Sequence, residues 1–216
     1  MNKTSVIYRE IAERLLRNRR ERFVGRELAK STGASADTVS AAIAPLKRIG
    51  AVSGYRRHFE VTDFKKLLLF QAVNRRMYKD IIYTTYIKGL TAGQIEELMP
   101  DDIAYTDYSG YVKLFGNDAA GYSEVYVYAA EPGLEEIKKR AEKNSFSATS
   151  DYSNLIVLKP DRLLGERIKR HKLERSSVSL PQLYADLWNT NTWYAHDFLD
   201  KLEKRIDDTY AKAILE

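Results

Sequence analysis

The stretch ELAKSTGASADTVSAAIAPLKRIGAV, residues 27–52, decides the fold predicted for this chain. Gly33 lies near its start and can adopt the left-handed conformation of a tight turn, which ends a helix predicted over residues 24–31. Ser35 is a favourable N-cap for the helix that follows. Apolar residues at i, i+4 and i+7 then give this helix one buried face: Val39, Ile43 and Leu46. The stretch therefore predicts two helices joined by a tight turn.

Further elements are predicted on both sides of this helix pair. Apolar residues at helical spacing predict a first helix that ends at about Arg19. Gly50 ends the third helix, and the alternation over residues 51–61 predicts a β-hairpin. Helix, helix, tight turn, helix and hairpin is the order of a winged helix, and the stretch 27–52 resembles the core of that family. In such modules the third helix lies in the major groove and the hairpin contacts the DNA backbone or the minor groove.

The excess positive charge of the chain is concentrated in this N-terminal part. Lys and Arg number 35 against 30 Asp and Glu, and residues 1–63 hold 13 of the basic and 7 of the acidic residues. The other 22 basic and 23 acidic residues nearly cancel. A basic module joined to a neutral one is typical of a domain that binds a polyanion and carries a second unit. Charge alone also fits a solvated basic surface, which stays open as the alternative.

The residues expected to contact duplex DNA lie near the turn, on the third helix and on the hairpin. The third helix offers no Arg or Lys before Lys47, so base recognition rests on Thr38, Ser40 and methyl contacts. Asp37 repels phosphate but can accept a hydrogen bond from a cytosine amine. Basic residues surround this helix, which predicts an affinity dominated by phosphate contacts. The expected DNA contacts are Arg26, Ser35, Asp37, Thr38, Ser40, Lys47, Arg48, Arg56, Arg57 and His58.

Residues 64–216 are predicted to form a second unit. Its predicted elements are a connector helix over about 64–76 capped by Asp63, a short helix capped by Thr91, a helix from Asp101 or Asp102 to Gly116, a strand over 124–128, a helix over 132–143, a strand over 154–158, a helix from Pro181 through Trp188 and a last helix from about Tyr194. The strand–helix–strand order favours a small α/β layer. The expected fold class is therefore α+β, with a winged helix over residues 1–63 and a small α/β domain over 64–216.

Two sets of side chains in this second unit are expected to act as scaffolding. Gln182 and Asp186 lie at i, i+4 on one helix and are expected to bond to each other or to a neighbouring strand, while Tyr184 pairs with Trp188. Three tyrosines are expected to pack within a helix, with their hydroxyls reaching solvent, rather than to form a stacking platform for bases. These are Tyr105, Tyr108 and Tyr111.

A family resemblance rests mainly on the segment SVSLPQLYADLWN, residues 177–189. It matches the pattern V-S-x-x-Q-x-Y-x-D-L through Val178, Ser179, Gln182, Tyr184, Asp186 and Leu187. By this motif and by the order of its elements the chain resembles the AbiEi-type regulators, the antitoxin half of type IV toxin–antitoxin systems. The resemblance implies a non-catalytic, nucleotidyltransferase-like C-terminal domain. It also implies an autoregulating transcriptional regulator whose C-terminal domain binds a toxin protein or a second copy.

The sequence argues against catalysis. A working nucleotidyltransferase needs a Gly-Ser turn for the triphosphate and carboxylates at D-x-D spacing for two Mg²⁺ ions, and the sequence contains neither. The chain has no cysteine and three scattered histidines, so no metal and no other cofactor is expected. No apolar run is long enough to span a bilayer, and a cytoplasmic protein is expected. Two alternatives stay open: a winged helix used only for protein contacts, and a degenerate nucleotidyltransferase-like protein that binds a nucleotide.

Overall fold

Ten α-helices and two small β-sheets make up the part of the chain that the computed structural model describes, residues 3–18, 22–54, 58–117, 119–144 and 152–215. The helices are α1 (Lys3–Asn18), α2 (Gly25–Thr32), α3 (Ala36–Arg48), α4 (Phe64–Asn74), α5 (Ala92–Glu97), α6 (Asp107–Phe115), α7 (Glu131–Asn144), α8 (Arg162–Lys169), α9 (Leu180–Trp188) and α10 (Ala195–Leu215). The strands are β1 (Arg22–Val24), β2 (Val52–Ser53), β3 (His58–Val61), β4 (Ile81–Thr85), β5 (Ile103–Thr106), β6 (Val125–Ala129) and β7 (Leu155–Leu158). The predicted α+β class is confirmed at this level.

The N-terminal sheet is antiparallel and has the order β1-β3-β2. The predicted hairpin is present as β2 and β3, while β1 was not predicted. Phe23 on β1 stacks against Phe59 on β3 with ring centroids 5.4 Å apart. Helices α1, α2 and α3 pack on one another around side chains that are almost fully buried. These include Ile11, Leu28 and Leu46.

The predicted boundaries of α3 are confirmed by its capping geometry. Gly33 adopts the left-handed conformation (φ 65°) and closes the end of α2. The Ser35 hydroxyl accepts a hydrogen bond from the Thr38 amide at 3.1 Å, which satisfies one of the free amides at the helix start. The predicted stripe is buried, and Ala42 joins it: Val39, Ala42, Ile43 and Leu46.

The second sheet has the order β4-β7-β6-β5, in which only β6 and β7 run parallel. Helix α7 connects these two parallel strands, as the strand–helix–strand order predicts. The helix predicted from Asp101 or Asp102 is wrong in its first part, because residues 103–106 form β5 and α6 begins at Asp107. All four β5 residues are buried and pair with β6, so sheet formation outweighs the helical apolar spacing that Ile103 shares with Tyr111.

A single hydrophobic cluster contains residues from the N-terminal helices and from helices that follow residue 63. Helix α4 packs against both α1 and α9, and its Asp63 cap accepts a hydrogen bond from the Lys66 amide at 2.9 Å as predicted. Ile7, Leu67 and Leu183 belong to this cluster and are fully buried. The N-terminal helices therefore share apolar contacts with the elements that follow residue 63.

Three further features complete the fold. The predicted Thr91 cap is present as a capping box with Gln94. Strand β4 and helix α8 were not predicted. None of the helices, within the described ranges, is both long enough and apolar enough to cross a bilayer.

Candidate nucleic-acid interface

A groove of about 730 Å³ runs along one flank of α3, between the start of α2 and strand β3. Its floor is apolar and includes Val39 and Ile43 from the buried stripe of α3. Cationic and titratable side chains from three different elements surround this floor and are exposed to solvent. They are Arg26, Lys47 and His58. We call this surface the groove face.

The structure brings four of the ten predicted contact residues together in this groove, namely Arg26, Ser40, Lys47 and His58. Asp37 and Arg48 lie instead on the outer surface of α3, where both are exposed. Their spacing of eleven residues along the helix returns them to one face, together with the exposed methyl group of Ala41, while the exposed Ala44 lines the groove. Arg56 and Arg57 lie outside the described residues.

Lys47 has a structural role as well as a charge. Its Nζ donates a hydrogen bond to the Gly54 carbonyl oxygen at 2.8 Å and thereby joins α3 to the base of the β2–β3 hairpin. Gly54 has a φ of 130°, and a Cβ placed on it would lie 2.6 Å from the His58 carbonyl oxygen. The base of the hairpin therefore requires glycine, and Lys47 fixes its position relative to the groove face.

Ser35 and Thr38 lie at the start of α3 and interact with each other. Their hydroxyl oxygens are 2.8 Å apart, and the Ser35 hydroxyl also caps the helix. Thr38 is half-buried, whereas Ser40 is exposed in the groove. Of the hydroxyl groups predicted to read bases, Ser40 is thus the one displayed on the groove face.

A second polar region is buried beneath α9 and was predicted only in part. The predicted hydrogen bond is confirmed, because the Gln182 amide donates to the Asp186 carboxylate at 2.9 Å. Asp186 also forms a buried ion pair with Arg75, in which Nε and Oδ1 are 2.9 Å apart. Thr106 and Tyr128 donate to its other oxygen, each at 2.8 Å. We call this set the Asp186 network.

The Asp186 network explains how an arginine can be buried in this interior. Burial alone would lower the pKa of Arg75, but the neighbouring charge of Asp186 raises it above its usual value. Arg75 also pairs with Asp80 and donates to the Tyr128 hydroxyl at 2.8 Å. Asp186 is therefore the counterion of a buried cation, which agrees with the scaffolding role expected from its spacing to Gln182.

Arg9 extends this region toward the N-terminal helices. Its guanidinium binds both Asp161 oxygens, at 2.7 and 2.9 Å, and donates to the Gln182 side-chain oxygen at 3.1 Å. Helix α1 is thereby joined to the starts of α8 and α9. Sequence reasoning missed Arg9, Arg75 and Asp161, because none of them is close in sequence to the motif around Asp186.

The three tyrosines singled out in the sequence are buried, so packing is confirmed and a stacking platform for bases is wrong for them. Tyr105 packs from strand β5 rather than from a helix, and its hydroxyl donates to the Glu96 carbonyl oxygen at 2.9 Å. The Tyr108 hydroxyl contacts the Thr192 hydroxyl. These two hydroxyls bind inside the protein rather than reaching solvent. The predicted pair of Tyr184 and Trp188 is present, with ring centroids 6.0 Å apart.

Asp107 is a second buried carboxyl, at the junction of β5 and α6. Its backbone has a φ of 54°, a conformation that is uncommon for residues other than glycine. Burial raises the pKa of Asp107 to about 8, although a hydrogen bond from Thr190 acts in the opposite direction. Within the described part of the chain, no group of three or more His, Asp and Glu side chains is arranged to hold a metal ion.

No family model, curated protein or solved structure matches this chain. The resemblance to AbiEi-type regulators therefore stays a prediction from the motif over residues 178–187 and from the order of the elements.

Proposed function

We propose that this chain is a transcriptional regulator that binds duplex DNA through α3 and the groove face. The observation that carries the proposal is the arrangement of residues 3–61. An exposed helix, α3, lies on a supporting core of α1 and α2 and is flanked by a three-stranded sheet of order β1-β3-β2. We interpret this arrangement as a winged helix, in which α3 is the recognition helix and β2 and β3 form the wing.

The dimensions and the surface of α3 support insertion into a major groove. Its 13 residues span about 20 Å, and a B-DNA major groove about 12 Å wide admits an α-helix. Two small exposed side chains, Ala41 on its outer face and Ala44 in the groove, allow the helix backbone to approach the base edges closely. Arg26, Lys47 and Arg48 then lie around the helix, where the phosphate strands bordering the groove would pass. Affinity is dominated by these phosphate contacts.

The test is the salt dependence of binding to a random-sequence duplex, measured by fluorescence anisotropy. Replacing Arg26 and Arg48 by Gln removes two exposed cations that have no side-chain hydrogen bond or ion pair to another described residue. If both contact phosphates, the slope of log K against log salt flattens by about 2. The matched control replaces two exposed lysines on α7 and α10, Lys139→Gln and Lys204→Gln, with the same change of charge.

Two results would contradict the proposal. The first is a folded wild-type chain that shows no salt-dependent affinity for duplex DNA, as expected of a winged helix used only for protein contacts. The second is a slope that falls equally in the Arg26 and Arg48 variant and in the lysine control. Calorimetric titration with ATP or GTP and Mg²⁺ tests the remaining alternative, a degenerate nucleotide-binding protein.

The motif over residues 178–187 supports a narrower form of the proposal, in which the regulator is an autoregulating antitoxin. Its partner is then a nucleotidyltransferase-type toxin or a second copy, bound through the elements after residue 63. A toxin encoded beside this chain, whose growth inhibition is relieved when the chain is co-expressed, is the expected result. A folded variant altered only on α3 is expected to relieve the growth inhibition as the wild type does. If it does not, the toxin is not bound through the elements after residue 63.

A further inference from the structure

A second basic cleft lies near the start of α3 and shares no lining residue with the groove face. Its volume is about 520 Å³, and it is lined by the start of α1, the turn between α2 and α3, and the chain from the end of β7 into the start of α8. Three cations from these elements line it: Lys3, Lys159 and Arg162. Since α8 was not predicted from the sequence, this grouping emerges only in the folded chain. We call it the turn cleft.

The charges in the turn cleft do not cancel. Its lining carboxylate, Asp161, already has both oxygens bound by the buried Arg9 guanidinium at 2.7 and 2.9 Å. Arg162 pairs with Glu166 at 2.9 Å, but both side chains are exposed by 40% or more, so solvent weakens the pair. Among the described residues none forms an ion pair with Lys3 or Lys159, and both are exposed.

The turn cleft is close to the helix that carries the proposed function. The Arg162 guanidinium lies against the turn, with Nη2 only 3.1 Å from the position that a Cβ on Gly33 would occupy. Gly33 precedes the first residue of α3 by three positions. Lys47 and the base of the hairpin lie toward the opposite end of the same helix. Cations therefore flank α3 at both of its ends.

We infer that the turn cleft binds the sugar–phosphate backbone of duplex DNA beside the start of α3, so that the segment after β7 contributes directly to DNA binding. The inference rests on the proposed function. A helix seated in the major groove is bordered by two phosphate strands, one on each side. The groove face meets one of these strands along the flank of α3, and the turn cleft meets phosphates beyond the first turn of the helix. Exposed lysines on separate elements suit this ligand, because each acts as a flexible point charge toward one phosphate.

The experiment compares Lys3→Gln with Lys159→Gln, made together, against the control pair Lys139→Gln and Lys204→Gln in the same anisotropy titration. Two lost phosphate contacts flatten the slope of log K against log salt by about 2, so the affinity lost between 50 and 200 mM salt shrinks by about tenfold. The four-fold variant that also carries Arg26→Gln and Arg48→Gln is expected to flatten the slope by about 4, because the clusters contact different phosphates. Melting temperatures verify that each variant is folded.

The outcomes separate the inference from the proposal on which it depends. A wild-type chain without salt-dependent binding overturns both. Only the inference is overturned if the salt slope flattens in the Arg26 and Arg48 variant but is equal in the Lys3 and Lys159 variant and in the lysine control. A third result also overturns only the inference. In it, inorganic phosphate raises the melting temperature of the wild type but not that of the Lys3 and Lys159 variant, and the salt slope of DNA binding is the same in both. The turn cleft would then bind a free anion rather than DNA.

Discussion

The groove face and the Asp186 network use the same residue types for opposite purposes. On the groove face the charged groups of Arg26 and Lys47 are exposed and surround an apolar floor. In the Asp186 network Arg75 and Asp186 are almost fully buried and satisfy each other. A cation with solvent around it is available to an external polyanion, whereas a cation enclosed with its counterion holds helices in register. Burial and pairing, more than residue type, therefore separate a binding surface from a scaffold in this molecule.

The largest effect is expected from Asp186→Ala. Removing this carboxylate leaves Arg75 charged and buried without its main partner, which costs about 3–5 kcal/mol of unfolding free energy. Urea denaturation of the variant measures the loss. DNA binding by the folded fraction is expected to stay unchanged, because the groove face contains none of these residues. The exposed Asp200→Ala, beyond the first turn of α10, is the control and is expected to change stability by less than about 0.5 kcal/mol.

An Asp186→Ala variant of unaltered stability that had lost a nucleotide or a protein partner would break the comparison. The Asp186 network would then be a binding site rather than a scaffold.

The next effect concerns Asp107 and depends on pH. Its pKa of about 8 in the folded chain lies above the value of about 4 expected in the unfolded chain, so the folded state holds the proton more tightly. The contribution of Asp107 to the free energy of unfolding is therefore full below about pH 4 and is lost as pH rises toward 8. The free energy of unfolding falls by up to about 1.4 kcal/mol per pH unit in this range. Asp107→Asn is expected to remove this pH dependence, because the asparagine side chain does not titrate. Its side-chain oxygen can still accept the hydrogen bond from the Tyr108 backbone amide.

Melting temperatures of wild type and Asp107→Asn between pH 5 and 9 measure this difference. The variant is expected to gain stability relative to the wild type as pH rises. Parallel profiles over the whole range would mean that Asp107 titrates near its ordinary pKa, and that this buried carboxyl is solvated or paired in solution.

A smaller effect is expected from Ser35→Ala, which removes the cap of α3. The Thr38 amide loses its acceptor, which costs about 1 kcal/mol of unfolding free energy. Because the start of α3 is then less ordered, affinity for duplex DNA is expected to fall as well. Ser35→Asp restores an acceptor and is expected to recover stability but not the full affinity, since it adds a negative charge beside phosphate. Full recovery of both by aspartate would contradict the placement of this turn near the DNA backbone.

The sequence predicted those features that depend on neighbouring residues. The caps at Ser35, Asp63 and Thr91, the buried stripe of α3 and the hydrogen bond from Gln182 to Asp186 each involve residues at most ten positions apart. Local chemistry determines them, so they can be recognised without the fold. The sequence also singled out Arg26, Lys47 and His58 on the elements around α3, but the groove that they line was not predicted.

The missed features depend on residues that are distant in sequence. Arg75 lies 111 positions from Asp186, and Arg9 lies 152 positions from Asp161, so no local pattern connects either pair. Strand β5 was mistaken for the start of a helix because its burial comes from pairing with β6, which the apolar spacing does not encode. The turn cleft was missed for the same reason, since Lys3, Lys159 and Arg162 meet only through packing of α8 beside the turn at Gly33.

The smallest effect on stability, and the sharpest test of the comparison, is expected from Asp37→Asn. Asp37 carries the same functional group as Asp186 but is exposed in the first turn of α3. Its carboxylate interacts favourably with the helix dipole, so its neutralisation costs only about 0.3–1 kcal/mol of stability. On the DNA side it repels phosphate, and removing one such repulsion is expected to raise the affinity for random duplex by a few-fold at low salt, with a smaller gain at high salt.

The anisotropy titration used for the groove face measures this change in affinity, with Asp197→Asn as the matched control. Reduced affinity for random duplex would show that Asp37 accepts a hydrogen bond from the DNA, and an effect equal to that of the control would place the outer face of α3 away from the phosphates.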